Sequence, residues 1–236
     1  MHTGIKRQII SLCEANPVEE SCGFIVLGQT GAELVTCTNV APNPREDFKI
    51  SPSEYVAATY RGQLLAVYHS HPVAAGFSPH DLQYAQEVAL PQYLYSIPDK
   101  SWSEYIPPTY KPPLEGRRFV FGMADCYSLV RDYFRYNFNV YLNDYDRDES
   151  FHTVPSHDIM DLYVKEGGYK AVNIAQIKKH DVLVFTVANV LPQHFAIFVG
   201  NSRILHHTYR GLSRTDLFNG GWHNRLKAVL RHPAAG

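Results

Sequence analysis

A proline-rich stretch near the middle of the chain is the feature that most constrains how the chain can fold. Residues 94–116 contain five prolines, including two Pro-Pro pairs, and show little hydrophobic periodicity. Proline lacks a backbone N–H and fixes φ, so this stretch is expected to be extended and semi-rigid rather than packed. We therefore predict a linker over residues 96–115 that separates a first domain, residues 1–95, from a second domain, residues 116–236.

The composition excludes several classes of protein. Apolar residues make up 45% of the chain and charged residues 19%, as in a globular protein, and the formal net charge is -1. Without a basic surplus we expect no nucleic acid as a partner. No run reaches the roughly 18 to 20 apolar residues of a membrane span. Residues 1–14 also lack the apolar segment of a secretory signal, so we expect the protein to be made in the cytoplasm of its host cell.

Hydrophobic periodicity predicts an α/β first domain. Ile5, Ile9, Ile10 and Cys13 fall on one face of an initial helix. The further elements predicted for this domain are strands at residues 23–27, 33–38 and 64–69 and helices at residues 53–61 and 81–89.

The second domain is predicted to be α+β, because helices precede an antiparallel sheet. Helices are expected at residues 125–138 and 156–166, and strands at residues 181–187, 194–199 and 202–207.

Two histidines follow a buried apolar run in the first domain. His69 and His71 come after the sequence Leu-Leu-Ala-Val-Tyr, which predicts a strand. Side chains alternate along a strand, so both imidazoles point to one face, about 6–7 Å apart along the chain. Two such imidazoles can bind one zinc ion. A catalytic zinc ion also needs a third protein ligand and an open position for water.

Acidic residues near this pair could complete a metal site. Asp81 follows Ser78 and Pro79, a sequence typical of a helix N-cap and first turn, which by itself accounts for these residues. Glu20 precedes the first apolar strand, where a carboxylate could take the proton of a metal-bound water. The spacing leaves a metal site and a simple helix cap open as interpretations.

Together these residues resemble the JAMM (MPN, Mov34-like) metallopeptidase signature over roughly residues 1–95. The resemblance implies that Zn²⁺ is bound by His69, His71 and Asp81, with Glu20 as the general base and Ser78 helping to stabilise the oxyanion. The gap between the second histidine and the serine is six residues, slightly shorter than is usual in that family. We expect the neighbouring His80 on the helix surface rather than among the ligands.

The four cysteines predict no disulfide framework and no cysteine-based zinc site. They are Cys13, Cys22, Cys37 and Cys126, and none is spaced as CxxC. Cys126 stands alone in the second domain, at the predicted start of a helix. Helix N-terminal amides and the helix dipole lower a thiol pKa and so favour the nucleophilic thiolate. A buried structural cysteine is the alternative.

Two downstream histidines favour the interpretation of Cys126 as a nucleophile over that of a structural cysteine. His194 begins one predicted strand, and His206 lies in the next strand across the Gly200-Asn201 turn. A hairpin can place both on one face, where one accepts the thiol proton and the other orients its ring. His207 is the second choice for this orienting role, because a regular strand would turn it to the opposite face.

Residues 125–128 followed by His194 and His206 resemble the NlpC-type papain-like peptidases, which cleave bacterial cell-wall peptides. This resemblance covers about residues 115–232 and implies that Cys126 is the nucleophile, His194 the base and His206 its orienting partner. The two modules in this order resemble the K-type tail assembly proteins of long-tailed bacteriophages. That resemblance implies a place at the virion tail tip or in a tail assembly intermediate, with phage tail tip proteins and host peptidoglycan peptides as partners.

Three functions remain open at this point. The first is a peptidase that acts on peptidoglycan or on a tail protein through the Cys/His site and the zinc site. The second is a structural tail component in which one or both sites are vestigial and the domains are docking surfaces. The third, an isopeptidase that removes a ubiquitin-like modifier, is disfavoured by the attached cell-wall type domain.

Overall fold

The computed structural model describes residues 1–148, 167–186 and 192–236. These residues divide into two compact units: Thr3–Pro112 forms one, and Met1–His2 groups with Pro113–Gly236 in the other. Among the described residues, no helix combines the length and apolar character that a membrane crossing requires.

The Thr3–Pro112 unit is built around a five-stranded sheet of order β2-β1-β3-β4-β5. Its elements are α1 (Thr3–Ala15), β1 (Cys22–Leu27), β2 (Ala32–Cys37), α2 (Pro52–Arg61), β3 (Gln63–His71), α3 (Pro79–Val88), β4 (Gln92–Ser96) and β5 (Ser101–Tyr105). Strands β3 and β4 run parallel, whereas the other neighbouring pairs are antiparallel. The predicted α/β character of this domain is therefore confirmed.

Strand β3 is the central strand, and this explains its continuous apolar sequence. Every residue from Leu65 to His71 is buried, as expected for a strand that is covered on both faces. Phe24 and Val26 of β1 pack with Val67 in the core on one side of the sheet. The two histidines thus lie at the end of the buried central strand of this unit.

Residues 101–105, which the sequence assigned to the linker, form the edge strand β5 instead. They pair with β4 in antiparallel register, and Tyr93 stacks on Trp102 with ring centroids 5.5 Å apart. The short alternation Ser-Trp-Ser-Glu-Tyr between prolines is compatible with an edge strand, where flanking prolines are tolerated. Residues 106–116 contain no helix or strand, so the extended part of the connection is shorter than predicted.

The second unit is α+β, as predicted, with a six-stranded antiparallel sheet of order β10-β9-β8-β7-β11-β6. Its elements are α4 (Cys126–Phe138), β6 (Lys170–Val172), β7 (Val182–Thr186), β8 (Pro192–Gly200), β9 (Arg203–His206), β10 (Arg214–Leu217), α5 (Gly220–His223) and β11 (Leu226–Arg231). The helix predicted at residues 156–166 lies outside the described residues. Helix α4 packs against the sheet through Leu129, Val130 and Phe134, which share one core cluster with Phe195 and Ile197 of β8.

Gly23 tests how tightly β1 is held between its neighbours. A Cβ at this position would lie 2.2 Å from the carbonyl oxygen of Val35 and 2.7 Å from Cε1 of Tyr68. We expect Gly23→Ala to lower the free energy of unfolding of this unit by about 1–3 kcal/mol, because neither neighbour can move freely. Urea unfolding followed by Trp102 fluorescence in a Trp222→Phe background measures this.

Gly28→Ala is the matched control. Its Cβ would meet only the flexible Glu33 side chain, at 3.4 Å or more. Equal destabilisation by the two substitutions would contradict the close approach of β2 and β3 at Gly23.

Candidate metal centre and cysteine site

His69 and His71 lie side by side at the end of β3, as strand alternation predicts, with ring centroids 5.0 Å apart. Asp81 from α3 reaches both rings: Oδ1 lies 3.5 Å from Nε2 of His69, and Oδ2 lies 3.3 Å from Nε2 of His71. All three side chains are buried, and one ligand atom from each lies within 4.8 Å of the others. The structure therefore brings together the three residues that the sequence predicted as metal ligands.

The start of α3 positions the Asp81 carboxylate. The backbone N–H of Ser78 donates to Oδ2 of Asp81 at 2.7 Å, and the N–H of Asp81 donates to Oγ of Ser78 at 3.2 Å. This is a reciprocal capping box, with Pro79 in the first helical turn. The helix-cap interpretation and the metal interpretation are thus compatible. A role for Ser78 beyond capping stays a prediction.

Glu20 lies beside the same cluster. Its Oε1 is 3.5 Å from Nε2 of His71, and it is held by a backbone hydrogen bond from its N–H to the carbonyl of Pro44. Burial raises the pKa of Glu20 to about 8, against the lowering effect of His71. The sequence did not predict Phe48, whose ring stacks on His69 at a centroid distance of 4.5 Å and fixes its orientation.

The buried polar atoms of this cluster suit a metal ion. Three buried nitrogens make no hydrogen bond: Nδ1 and Nε2 of His69 and Nδ1 of His71. A buried polar atom without a partner costs free energy. Two imidazoles and a carboxylate that leave one position open are a donor set that zinc accepts. The identity of the ion stays a prediction. His80 is exposed and pairs with Asp47 at 3.0 Å, on the helix surface as expected.

Zinc content tests this cluster. We expect His71→Ala to weaken zinc binding by more than about 100-fold, because a ligand is lost. Loss of a residue that only hydrogen-bonds to a ligand typically weakens metal binding by about 10- to 100-fold. His80→Ala removes an exposed histidine one residue from Asp81 and should retain the ion. The measurement is zinc per chain after dialysis, with folding checked by circular dichroism. The same loss of zinc in both folded variants would exclude this set of ligands.

In the second unit, Asp125 sets the position of Cys126 at the start of α4. Its carboxylate accepts the N–H groups of Gly122 at 2.7 Å and Ser128 at 2.8 Å, and Nε of Arg147 at 2.7 Å. Burial alone would raise the pKa of Asp125, but the Arg147 guanidinium and these donors hold it below its usual range. The ionised N-cap fixes where the helix begins and so where the thiol lies.

The expected lowering of the Cys126 pKa is wrong. Burial raises the pKa of this thiol to about 12, and the adjacent Asp125 carboxylate raises it further. Loss of solvation and a neighbouring negative charge outweigh the helix N-terminus here. The thiol therefore needs a proton acceptor next to it.

Strands β8 and β9 contribute the two histidines that the sequence analysis named. Ala196 of β8 lies directly opposite His206 of β9, so His194, two residues earlier, shares the same face. Nε2 of His194 lies 3.0 Å from Nδ1 of His206, and both rings are buried. His206 rather than His207 is thus the histidine that contacts His194, as the sequence analysis preferred.

Cys126 and His194 line one small cavity of about 20 Å³. Its other lining residues are Phe119, Phe121, Asp125, Tyr127, Arg147, His207 and Tyr209. The wall is largely aromatic, and it also includes the Asp125–Arg147 ion pair.

Two further residues at this site escaped the sequence analysis. Oδ2 of Asp216 lies 3.0 Å from Nε2 of His206. The Trp222 ring stacks on His194 at a centroid distance of 5.6 Å and meets His206 edge-on at 4.8 Å. Neither residue belongs to a recognisable motif. Strand alternation would have pointed to Asp216 only if β10 had been predicted.

His207, unlike its neighbour His206, lines the cavity that holds Cys126. Its side chain is fully buried against Phe119. Burial lowers the pKa of His207 to about 4, so the ring is neutral at pH 7.

This shift predicts acid sensitivity of the second unit. The unfolded chain protonates His207 near 6.5 and the folded chain only near 4, so stability falls as the pH drops between these values. Converted at 1.36 kcal/mol per pKa unit, this shift predicts that protonation of His207 lowers the free energy of unfolding by about 3 kcal/mol between pH 7.5 and pH 4. We expect this pH-dependent loss to be absent in His207→Gln. Urea unfolding at pH 7.5 and pH 4, followed by Trp222 fluorescence in a Trp102→Phe background, measures it. An unchanged pH dependence in His207→Gln would contradict the buried neutral ring.

Comparison with known proteins gives matches to two family models and to two related proteins. Residues 2–105 match the model described as prokaryotic homologs of the JAB domain, and residues 116–231 match the NlpC/P60 family. The chain is 29% identical over 228 residues to tail tip assembly protein K of Escherichia phage N15. The aligned region covers 95% of this chain and 92% of that protein. The chain is 27% identical over 186 residues to tail tip assembly protein K of Escherichia phage lambda, with 78% and 90% covered. A solution structure from Desulfitobacterium hafniense has a TM-score of 0.36 and 21% identity, and covers 44% of this chain and 78% of that one.

Proposed function

Because the chain carries a JAB-like domain followed by an NlpC/P60 domain and is a homologue of two phage tail tip assembly proteins, we propose that it is a tail tip assembly protein with a cysteine peptidase in its second domain. The observation that carries the peptidase is that Cys126 and His194 line one cavity and that His206 lies 3.0 Å from His194. The proposed substrates are peptide bonds of host peptidoglycan or of a tail protein.

In the proposed reaction, His194 takes the proton of the Cys126 thiol as the sulfur attacks the scissile carbonyl carbon. The C–N bond of the tetrahedral intermediate then breaks, and the leaving amine takes that proton from His194. Water, deprotonated by His194, cleaves the resulting thioester and restores the thiol. A base adjacent to the thiol is needed because burial keeps the pKa of Cys126 at about 12.

The start of α4 is also the source of oxyanion stabilisation in this proposal. Cys126 is the first residue of the helix, so its N–H has no acceptor within the helix. A backbone N–H beside the attacked carbonyl stabilises the negative oxygen that develops in the transition state.

For the first domain we propose a metal-dependent hydrolase site. His69, His71 and Asp81 would hold the ion, which when bound would activate a water molecule. Glu20, whose Oε1 lies 3.5 Å from Nε2 of His71, would accept the proton of that water in its ionised form. The substrate class of this site is open between cell-wall peptides and a tail protein.

A structural role is the second candidate, and it is favoured because both relatives are tail tip assembly proteins. In that case the chain would dock other tail tip proteins, and one or both sites would have no turnover. The two candidates differ in whether the purified protein cleaves a peptide bond.

Hydrolysis of purified peptidoglycan tests the peptidase. We expect Cys126→Ala to reduce the release of peptides by about 1,000-fold or more, because the nucleophile is lost. Released peptides are identified by mass spectrometry, with and without a cysteine alkylator or a zinc chelator.

Cys37→Ala is the matched control, since Cys37 is a half-buried thiol of the first domain. It should retain full activity. Alkylation should abolish release, whereas a chelator should leave it unchanged. Absence of release by the folded wild-type protein would favour the structural role, and loss on chelation alone would assign cleavage to the metal centre.

A further inference from the structure

Asp216 of β10 is one of the two residues beside the histidine pair that no sequence motif explains. Its Oδ2 lies 3.0 Å from Nε2 of His206, and Nε of Arg214 lies 3.0 Å from each of its two oxygens. The side chain is 31% exposed, whereas His206 is fully buried. A partly solvated carboxylate therefore touches the buried end of the histidine pair.

The strand register explains why these groups meet. His206 lies opposite Ala196 of β8 on one side and opposite Arg214 of β10 on the other. His194 and Asp216 are each two residues from those positions and so share the face of His206. The three side chains form a line across three adjacent strands.

The hydrogen-bonding capacity of each group fixes the direction of this line. An ionised carboxylate only accepts, so Nε2 of His206 must carry the proton that Asp216 accepts. Burial lowers the pKa of His206, against the raising effect of Asp216, so the ring is neutral and has one N–H. Its Nδ1 can then only accept, and Nε2 of His194, 3.0 Å away, must be the donor.

We propose that Asp216 is a positioning residue that fixes the tautomers of His206 and His194, so that the proton of His194 lies on Nε2 and Nδ1 is its basic nitrogen. This inference rests on the proposed peptidase function of the second domain. With the other tautomer of His206, its Nδ1–H would face His194, and Nε2 of His194 would have to accept. Nδ1 of a neutral His194 would then carry the proton and could not act as the base.

The charges around Asp216 support this role. The hydrogen bond from Arg214 holds the pKa of Asp216 below its usual range, and the bond from His206 acts in the same direction, so the carboxylate is ionised. An ionised carboxylate also stabilises the positive charge that the histidine pair gains when the thiol is deprotonated. Trp222 covers both rings and limits their rotation.

Asp216→Asn tests the inference with little change in shape. Its amide can donate to Nε2 of His206 and so favour the wrong tautomer. We expect kcat to fall by about 10- to 100-fold with KM and thermal stability nearly unchanged, in the range found for partners that orient a reactive group. Asp216→Glu keeps a carboxylate and should recover part of kcat.

Glu115→Gln is the matched control. Glu115 accepts a hydrogen bond from the Thr215 hydroxyl, so the substitution removes a carboxylate beside β10 without touching the histidine pair. Its kcat should equal that of the wild type.

Two readouts do not depend on peptidase turnover. The ¹⁵N resonances of the histidine rings report which nitrogen is protonated, with assignments from His194→Gln and His206→Gln. The rate of Cys126 alkylation at pH 7 reports how readily the thiol gives up its proton. In Asp216→Asn, we expect protonation of Nδ1 of His194 and alkylation slowed by about 10- to 100-fold.

The outcomes separate the two proposals. Wild-type tautomers, alkylation rate and kcat in Asp216→Asn would overturn the positioning role. A wild-type protein that cleaves no peptide, but whose Cys126 alkylation depends on Asp216 as described, would overturn the peptidase function and retain the positioning role. If Asp216→Asn does not fold, Asp216→Ser is used in its place. The histidine tautomers and the Cys126 alkylation rate of that variant then test the positioning role.

Discussion

The cysteine site of the second unit depends on the hydrogen bonds that the ionised carboxylate of Asp125 accepts. This carboxylate is buried, it accepts two backbone N–H groups and the Arg147 guanidinium, and it is the N-cap of the helix that begins with Cys126. A buried charge is tolerated only when it is paired and fully hydrogen-bonded. The geometry of the turn before α4 is therefore strictly determined, and with it the location of the thiol relative to the sheet.

The sheet provides the other half of the site through its register. Antiparallel pairing of β8, β9 and β10 fixes which side chains share a face, and a shift by one residue would turn His206 away from His194. The core between α4 and the sheet holds the helix and the strands in this relation. Thiol and imidazole thus come from separate elements whose relative placement is determined by packing.

Much of the architecture and most of the candidate residues could be predicted from the sequence. Alternation along a strand placed His69 and His71 on one face, and the Ser78–Asp81 pattern correctly predicted the start of α3. The order of a JAMM/MPN-like domain before an NlpC-type domain is confirmed by the family matches. These features depend on local periodicity and local capping, which a sequence displays directly.

The features that escaped prediction depend on tertiary environment. Strand β5 has too few apolar residues to be recognised without its neighbour β4. Asp216 and Trp222 reach the histidine pair through the fold rather than through a motif. The raised pKa of Cys126 follows from how deeply the folded chain buries the thiol. A helix-terminal position alone could not reveal that depth.

The capping box at the start of α3 has a consequence for the thermodynamics of ion binding. Oδ2 of Asp81 is already fixed by the N–H of Ser78, and His69 is held in a stack with Phe48. An incoming ion would therefore meet ligands whose conformational entropy was lost when the domain folded, so little of its binding free energy would be spent on ordering them. The same rigidity disfavours ions whose preferred radius or coordination number differs from the spacing of these three side chains. Selectivity among divalent ions would then be a property of the helix cap as much as of the ligands.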